Sequence, residues 1–308
     1  MHTVLYHRAD LDGHCSGAIA ALSLRQRQLD FKLHGIDYGD PIPWDLIDGH
    51  DLIVLDWSFQ PWELFSEVLR RAKSLVWIDH HKTAIETWRQ GVEPVPSAPQ
   101  VAVLDTSHAA CELTWQYYHG TPRTQRASMP ECVRLLGRYD VWDHSDPRVL
   151  PFQYRMRLHE TDPAKHEPEQ LFWTHLLCER PDLAPMIQEG TLLMQYQERQ
   201  DSRAVAGAWF PLDFAGLRWQ ACNRTGLGSQ FFQSVWDREK YHGMLAFGWT
   251  HGHWKVGLYS DRTDVDCGAL AQQHGGGGHK GAAGFTTATL PFHLPPNMTA
   301  DRSERIFS

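Results

Sequence analysis

Residues 74–84 read SLVWIDHHKTA. The four residues from Leu75 to Ile78 are all apolar and show no polar alternation, so the stretch reads as a short strand buried on both faces. That is the pattern of a parallel sheet covered by helices on each side. The strand ends on Asp79, His80 and His81 and gives way to a helical segment. The same order recurs upstream. Residues 52–59, LIVLDWSF, form an apolar strand that delivers Asp56, followed by a helical stretch from Trp62 to Leu69. Residues 4–17, VLYHRADLDGHCSG, give a strand, then His7, Asp10, Asp12 and Gly13, then a helix continuing through Ala18 to Leu24. Downstream, Val101 to Leu104 and Ala109 to Tyr118 repeat the alternation. Strands interleaved with helices in this way imply the α/β class with a mostly parallel, doubly wound sheet.

Beyond this half the pattern changes. Residues 89–100, RQGVEPVPSAPQ, read as an irregular, proline-rich connection, and a mostly helical stretch runs from Pro130 to Asp201. It ends in the polar run MQYQERQDSR, a solvated helix. From Ala204 short alternating strands take over: Trp219 to Asn223, Gly243 to Trp249 and Trp254 to Tyr259. A helical piece, Val265 to Gln273, then leads into Gly275 to Gly278. The expected organisation is a first domain over 1–185, a helical linker over 186–203, a smaller α+β domain across a cleft over 204–295, and a tail over 296–308.

With 308 residues, 42% of them hydrophobic and 21% charged, the chain reads as globular, not disordered or fibrous. No apolar run approaches the roughly 18 residues needed to cross a bilayer, and the N-terminus lacks a basic-then-apolar leader pattern. A cytoplasmic protein without a membrane partner is therefore expected. Six cysteines without a C-x-x-C pair suggest reduced structural thiols. The formal charge of −8 argues against a broad basic surface for long duplex nucleic acid. A local site for a small anion stays open. Thirteen tryptophans are many; Trp57, Trp62, Trp77 and Trp88 fall in apolar elements, where packing is the expected role and base stacking the lesser one.

Nineteen histidines are the unusual count. Three segments place His7, Asp10 and Asp12, then Asp56, then Asp79, His80 and His81 just after a parallel strand, at the sheet edge where open α/β folds bind ligands. A single carboxylate there is commonplace as a helix cap. So many groups on one edge call for another explanation, because clustered carboxylates repel unless cations lie between them. Oxygen and imidazole donors without thiolate suit manganese, magnesium or iron. Two divalent ions bridged by one carboxylate would satisfy the set and form a template for phosphoryl displacement. A further acid is expected from residues 134–144, RLLGRYDVWDH, as Asp140 or Asp143; Asp140 directly follows the apolar helical run and is the expected one.

HRADLDG, VLDWS, WIDHH and RYDVW, in this order, resemble the four motifs of the DHH phosphoesterase superfamily, and GGGGHKGAAGF (275–285) resembles the signature of its associated C-terminal substrate domain. Within the superfamily the chain is most similar to the oligoribonucleases that degrade short oligonucleotides and to exopolyphosphatase-related proteins. The resemblance implies a manganese-dependent hydrolase acting on short oligoribonucleotides. The alternatives it leaves are 3'-phosphoadenosine 5'-phosphate, cyclic or linear dinucleotides, and polyphosphate. It implies His7 and Asp10 on one metal with Asp140, Asp12 and His80 on the other, Asp56 bridging, Asp79 orienting an imidazole and His81 facing the scissile phosphate. It also implies phosphate binding by Gly275, Gly276, Gly277, Gly278 and His279. Tyr259 stands where some relatives carry an arginine, so Arg262 or Arg224 is expected to supply that cation. The assembly state is left open, a homodimer included.

Overall fold

The computed structural model describes residues 1–91, 100–120, 129–165 and 171–294. Most of the expected proline-rich connection (92–99) and the expected tail (296–308) lie outside the described residues. The chain divides into two compact units, Met1–Met194 and Gln195–Ser308.

The first unit holds strands β1 (His2–His7), β2 (Phe31–Ile36), β3 (Asp51–Leu55), β4 (Ser74–Asp79) and β5 (Gln100–Leu104). All neighbours are parallel, in the order β2-β1-β3-β4-β5. Side chains alternate between the two faces, and in the central strands β1, β3 and β4 both faces are buried. Val4, Tyr6, Ile53, Leu55 and Ile78 enter one core with helices α1 (Leu11–Gln26), α5 (Ala110–His119), α6 (Glu131–Asp140) and α7 (Val149–Met156). Leu5, Leu52, Val54, Leu75 and Trp77 enter the other with the short α2 (Trp44–Ile47), α3 (Glu63–Arg71) and α4 (Lys82–Gly91). This two-faced burial is why the strand sequences are runs of apolar residues without alternation.

The four tryptophans pack as expected. Trp57, Phe59, Trp62, Phe65, Trp77 and Trp88 form one cluster of edge-on and tilted rings, and Trp77 Nε1 donates to the Trp57 carbonyl at 2.9 Å. Helix α1 is buried along nearly its whole length because its Gly, Ala, Ser and Cys side chains are small enough to fit between the sheet and α5 and α6. After α7 come α8 (Leu171–Thr174), a wide π turn (His175–Glu179) and α9 (Ala184–Ala208), which extends past the expected start of the second domain at residue 204.

The second unit carries strands β6 (Trp209–Phe214), β7 (Leu217–Asn223), β8 (Gly243–Thr250), β9 (His253–Tyr259), β10 (Gly277–Gly278) and β11 (Ala282–Thr287), with α10 (Cys267–Gln272). The sheet order is β10-β11-β9-β8-β7-β6, antiparallel except between β7 and β8. Its core is Leu212, Phe214, Trp219, Leu245, Phe247, Val256, Leu258 and Phe285. No helix among the described residues is long and apolar enough to cross a membrane.

Candidate metal centre

The order of the first sheet creates the site. From β1 the chain passes through α1 to β2 on one side, then crosses back to β3 on the other side of β1. At such a switch point the connections leave in opposite directions and open a crevice at the carboxyl ends of the two strands. His7 ends β1, Asp56 follows β3, and Asp79 ends β4.

Asp10 caps α1, its Oδ1 accepting from Gly13 N at 2.9 Å, while its Oδ2 lies 2.9 Å from His7 Nδ1. Gly13 makes this approach feasible, since a Cβ there would meet the His7 carbonyl oxygen at 2.0 Å. Asp12 is buried and accepts from the backbone N–H of Ala110 and Cys111 at 2.8 and 2.7 Å, the first turn of α5. The cap and the cluster are thus roles of the same carboxylates. Asp56 is held in the left-handed region, φ 57°, which Asp tolerates better than most residues. It is 1% exposed, and neither carboxylate oxygen has a hydrogen-bond partner among the described residues; its nearest imidazole nitrogens are His80 Nε2 at 3.3 Å and His7 Nδ1 at 3.6 Å. Asp79 is fully buried, and its Oδ1 accepts from His80 N, His81 N and His81 Nδ1 at 2.7, 3.2 and 2.7 Å.

Asp140, at the end of α6, lies 3.1 Å from His80 Nε2. Asp143 lies outside the cluster: it is half-exposed, paired with Arg138 at 2.9 Å and accepting from Ser145. Among the described residues, three groups have ligand atoms within 4.8 Å of one another: His7, Asp10 and Asp56; Asp56, His80 and His81; and Asp12, His80 and Asp140. The resemblance assigns Asp140 to the set of His7 and Asp10, whereas the structure groups it with Asp12 and His80.

The electrostatics follow from crowding. Burial opposes charge on His7 and His80, yet Asp10 and Asp56 around the first, and Asp56 and Asp140 around the second, raise both to about 11. Asp56 is buried too, but His7 and His80 hold it well below the ordinary carboxylate range. Burial, with Asp56 and Asp10 nearby, pushes Asp140 up to about 7, and burial with Asp56 and Asp140 raises Asp12. A buried carboxylate without hydrogen-bond donors, surrounded by hard oxygen and imidazole donors, is what a divalent cation fits. His7, Asp10, Asp12, Asp56, His80 and Asp140 are the residues that can hold one; His81, the remaining member of these groups, has its Nδ1 engaged by Asp79 at 2.7 Å.

The second unit has a cavity of about 730 Å3 whose walls include Arg224, Lys255, Tyr259, Gly275 and Gly276. Tyr259 donates to the Leu227 carbonyl at 2.8 Å. Gly276 packs against β11, where a Cβ would meet the Gly284 carbonyl at 2.1 Å. Gly277 and Gly278 do not line the cavity but form β10, and His279 N closes a turn onto the Ala282 carbonyl. Arg262 also lies off the cavity wall, bound to Asp264 and to the Arg238 carbonyl. Of the two cations expected near Tyr259, the structure brings Arg224 to the cavity. Lys255 and, at the metal centre, Asp37 were not among the expected residues. Asp37 directly follows β2, so reading that strand would have exposed it.

No family model matches the chain. It is 23% identical over 322 residues to uncharacterized protein R106 of Acanthamoeba polyphaga mimivirus, covering 95% of this chain and 69% of that one. Among solved structures it is similar to a pGpG-specific phosphodiesterase from Vibrio cholerae (14% identity, 93% of each chain, TM-score 0.46). It is also similar to an exopolyphosphatase-related protein from Bacteroides fragilis, with 13% identity over 94% of this chain and 87% of that one and a TM-score of 0.56, a likeness that shows a shared α/β fold.

Proposed function

We propose that this chain is a cytoplasmic, two-metal phosphoesterase of the DHH type that hydrolyses the phosphodiester bonds of short oligoribonucleotides to mononucleotides, with manganese as its divalent ion. The observation that carries the reading is Asp56: a buried carboxylate with both oxygens lacking hydrogen-bond partners among the described residues, at a switch point, within reach of two separate sets of oxygen and imidazole donors. Sharing of Asp56 and His80 between the sets favours a pair of cations over one, with His7 and Asp10 on one side and Asp12, His80 and Asp140 on the other. Bound there, such ions supply Lewis-acid charge for a phosphoryl oxygen and a water that deprotonates near neutral pH.

The chain's own groups do the rest. Asp79 Oδ1 accepts from His81 Nδ1 and fixes that ring, and Asp79 with Asp56 raises His81 against its burial, so in the protonated ring Nε2, on the far side, is the atom that can donate to a phosphate oxygen. The first turn of α5 holds Asp12 in place through two backbone N–H groups. In the second unit, Arg224, Lys255 and the Gly275–Gly276 backbone line a cavity suited to a nucleotide's anionic end. The charge of −8 favours short substrates over long polyanions.

The test is a manganese-dependent assay over labelled dinucleotides, short RNA, long duplex RNA, cyclic dinucleotides, 3'-phosphoadenosine 5'-phosphate and polyphosphate. Release of mononucleotides, fastest from dinucleotides and short RNA, is expected. Faster turnover of a cyclic dinucleotide, of 3'-phosphoadenosine 5'-phosphate or of polyphosphate overturns the substrate assignment, and no metal-dependent hydrolysis of any of them overturns the enzymatic one.

A further inference from the structure

His7 faces carboxylates on both sides of its ring. Nδ1 points into the cluster, 2.9 Å from Asp10 Oδ2 and 3.6 Å from Asp56 Oδ2. Nε2 points the other way and meets Asp37 Oδ1 at 3.3 Å. Asp37 stands at the end of β2, a different strand from any that supplies the six candidate ligands, and it is fixed there. Its Oδ1 also accepts from Tyr38 N at 2.7 Å, its own N–H donates to Asp40 Oδ2 at 2.8 Å, and Arg8 anchors Asp40 at 2.8 Å. The Tyr38 ring lies edge-on to His7 at 5.7 Å and against Trp57 at 5.8 Å.

A neutral imidazole carries one proton, and the nitrogen that keeps it is decided by the acceptor it finds. Ligating histidines commonly donate their remote N–H to a carboxylate, which fixes ring orientation and raises the basicity of the ligating nitrogen. From this geometry we infer that Asp37 is a positioning residue: it accepts the Nε2 proton of His7 and so presents Nδ1, unprotonated, to a cation held with Asp10 and Asp56. This rests on the metal reading above and adds a residue outside the ligand set.

The experiment compares the full-length protein with Asp37→Asn and Asp37→Ala. Zinc and manganese binding are measured by titration calorimetry, and the His7 tautomer is read by long-range 1H–15N correlation in the zinc-loaded, histidine-labelled protein. The expected result for Asp37→Ala is affinity weakened about 10- to 100-fold at one of two sites, the other unchanged, with the Nε2–H resonance of His7 shifted or exchange-broadened. Asp37→Asn keeps an acceptor oxygen and the Tyr38 contact, so it retains the tautomer and loses less affinity. A wild type that binds both ions, matched by Asp37→Ala in both affinities and in the His7 spectrum, overturns the role of Asp37 alone. A wild type that binds no divalent ion overturns the metal reading and this role with it.

Discussion

Replacing Gly13 by alanine tests whether the metal centre depends on how closely α1 approaches β1. A Cβ at Gly13 would sit 2.0 Å from the His7 carbonyl oxygen and 2.8 Å from both His7 C and His7 Cβ, against the 3.4 Å at which ordinary contact begins. None of these atoms is the free end of a flexible side chain, so the start of α1 or the end of β1 must move by more than an ångström. Overpacking of this kind costs about 1–3 kcal/mol, and the backbone contact puts this case at the upper end. For a unit of this size that is a fall in Tm of roughly 6–12 °C. The displaced atoms carry His7, Asp10 and Asp12, and a misplacement of about 1 Å costs on the order of 10²-fold in rate. Thermal melts with and without manganese, calorimetric metal titration and dinucleotide turnover below the melting transition give the readouts. Gly207→Ala is the control: no atom of the described residues lies within 4 Å of its Cβ position in α9, and alanine there is expected to be neutral or to stabilise by about 0.5–1 kcal/mol. A Gly13→Ala protein with wild-type Tm, metal affinity and rate refutes the reasoning.

Asp56→Ala removes the carboxylate shared by two donor sets, so turnover should vanish and metal content should fall, by elemental analysis, from two ions to one or none; near-normal kcat with two ions bound contradicts the bridging role. His81→Ala should keep both ions and lose about 10²-fold or more in kcat, the scale of one lost transition-state donor; loss of metal instead would make His81 a ligand. Cation binding should tighten as pH rises, because ions compete with protons on Asp140, raised to about 7, and on His7 and His80, raised to about 11, and calorimetry in buffers of different ionisation heat should show proton release near pH 7. In the metal-stripped protein the raised histidines contribute stability that is complete below their ordinary value of 6.5 and is lost as pH rises towards about 11, so its Tm should fall between pH 7 and 10; a Tm that rises over that range refutes the assignment.

The strands β1, β3 and β4 were legible because full burial on two faces leaves uninterrupted apolar runs, and the edge strand β5 because residues 101–104 are all apolar although they are exposed or half-buried. The edge strands β2 and β6 were not, since each is half-exposed and mixes Lys, His, Gly, Pro or Asp into its pattern. Missing β2 hid Asp37, whose contact with His7 spans 30 residues. The acid and histidine residues at the ends of β1, β3 and β4 were legible as candidates for the same local reason: a polar cluster that ends a buried strand stands out.

The sequence by itself determined the alternation of strands and helices, and hence which chemical groups would emerge at one edge of a parallel sheet. It could not determine which of those groups meet. Only the strand order β2-β1-β3-β4-β5 brings His7 beside Asp56, and only the packing of α5 and α6 on α1 brings Asp12 to a backbone 99 residues away and Asp140, not Asp143, to His80. In the second unit the glycine run was visible, but its division between a cavity wall at Gly275 and Gly276 and a strand at Gly277 and Gly278 came from pairing with β11. Periodicity is a property of neighbours along the chain. Contacts between distant segments depend on the packing of whole elements, which no local pattern encodes.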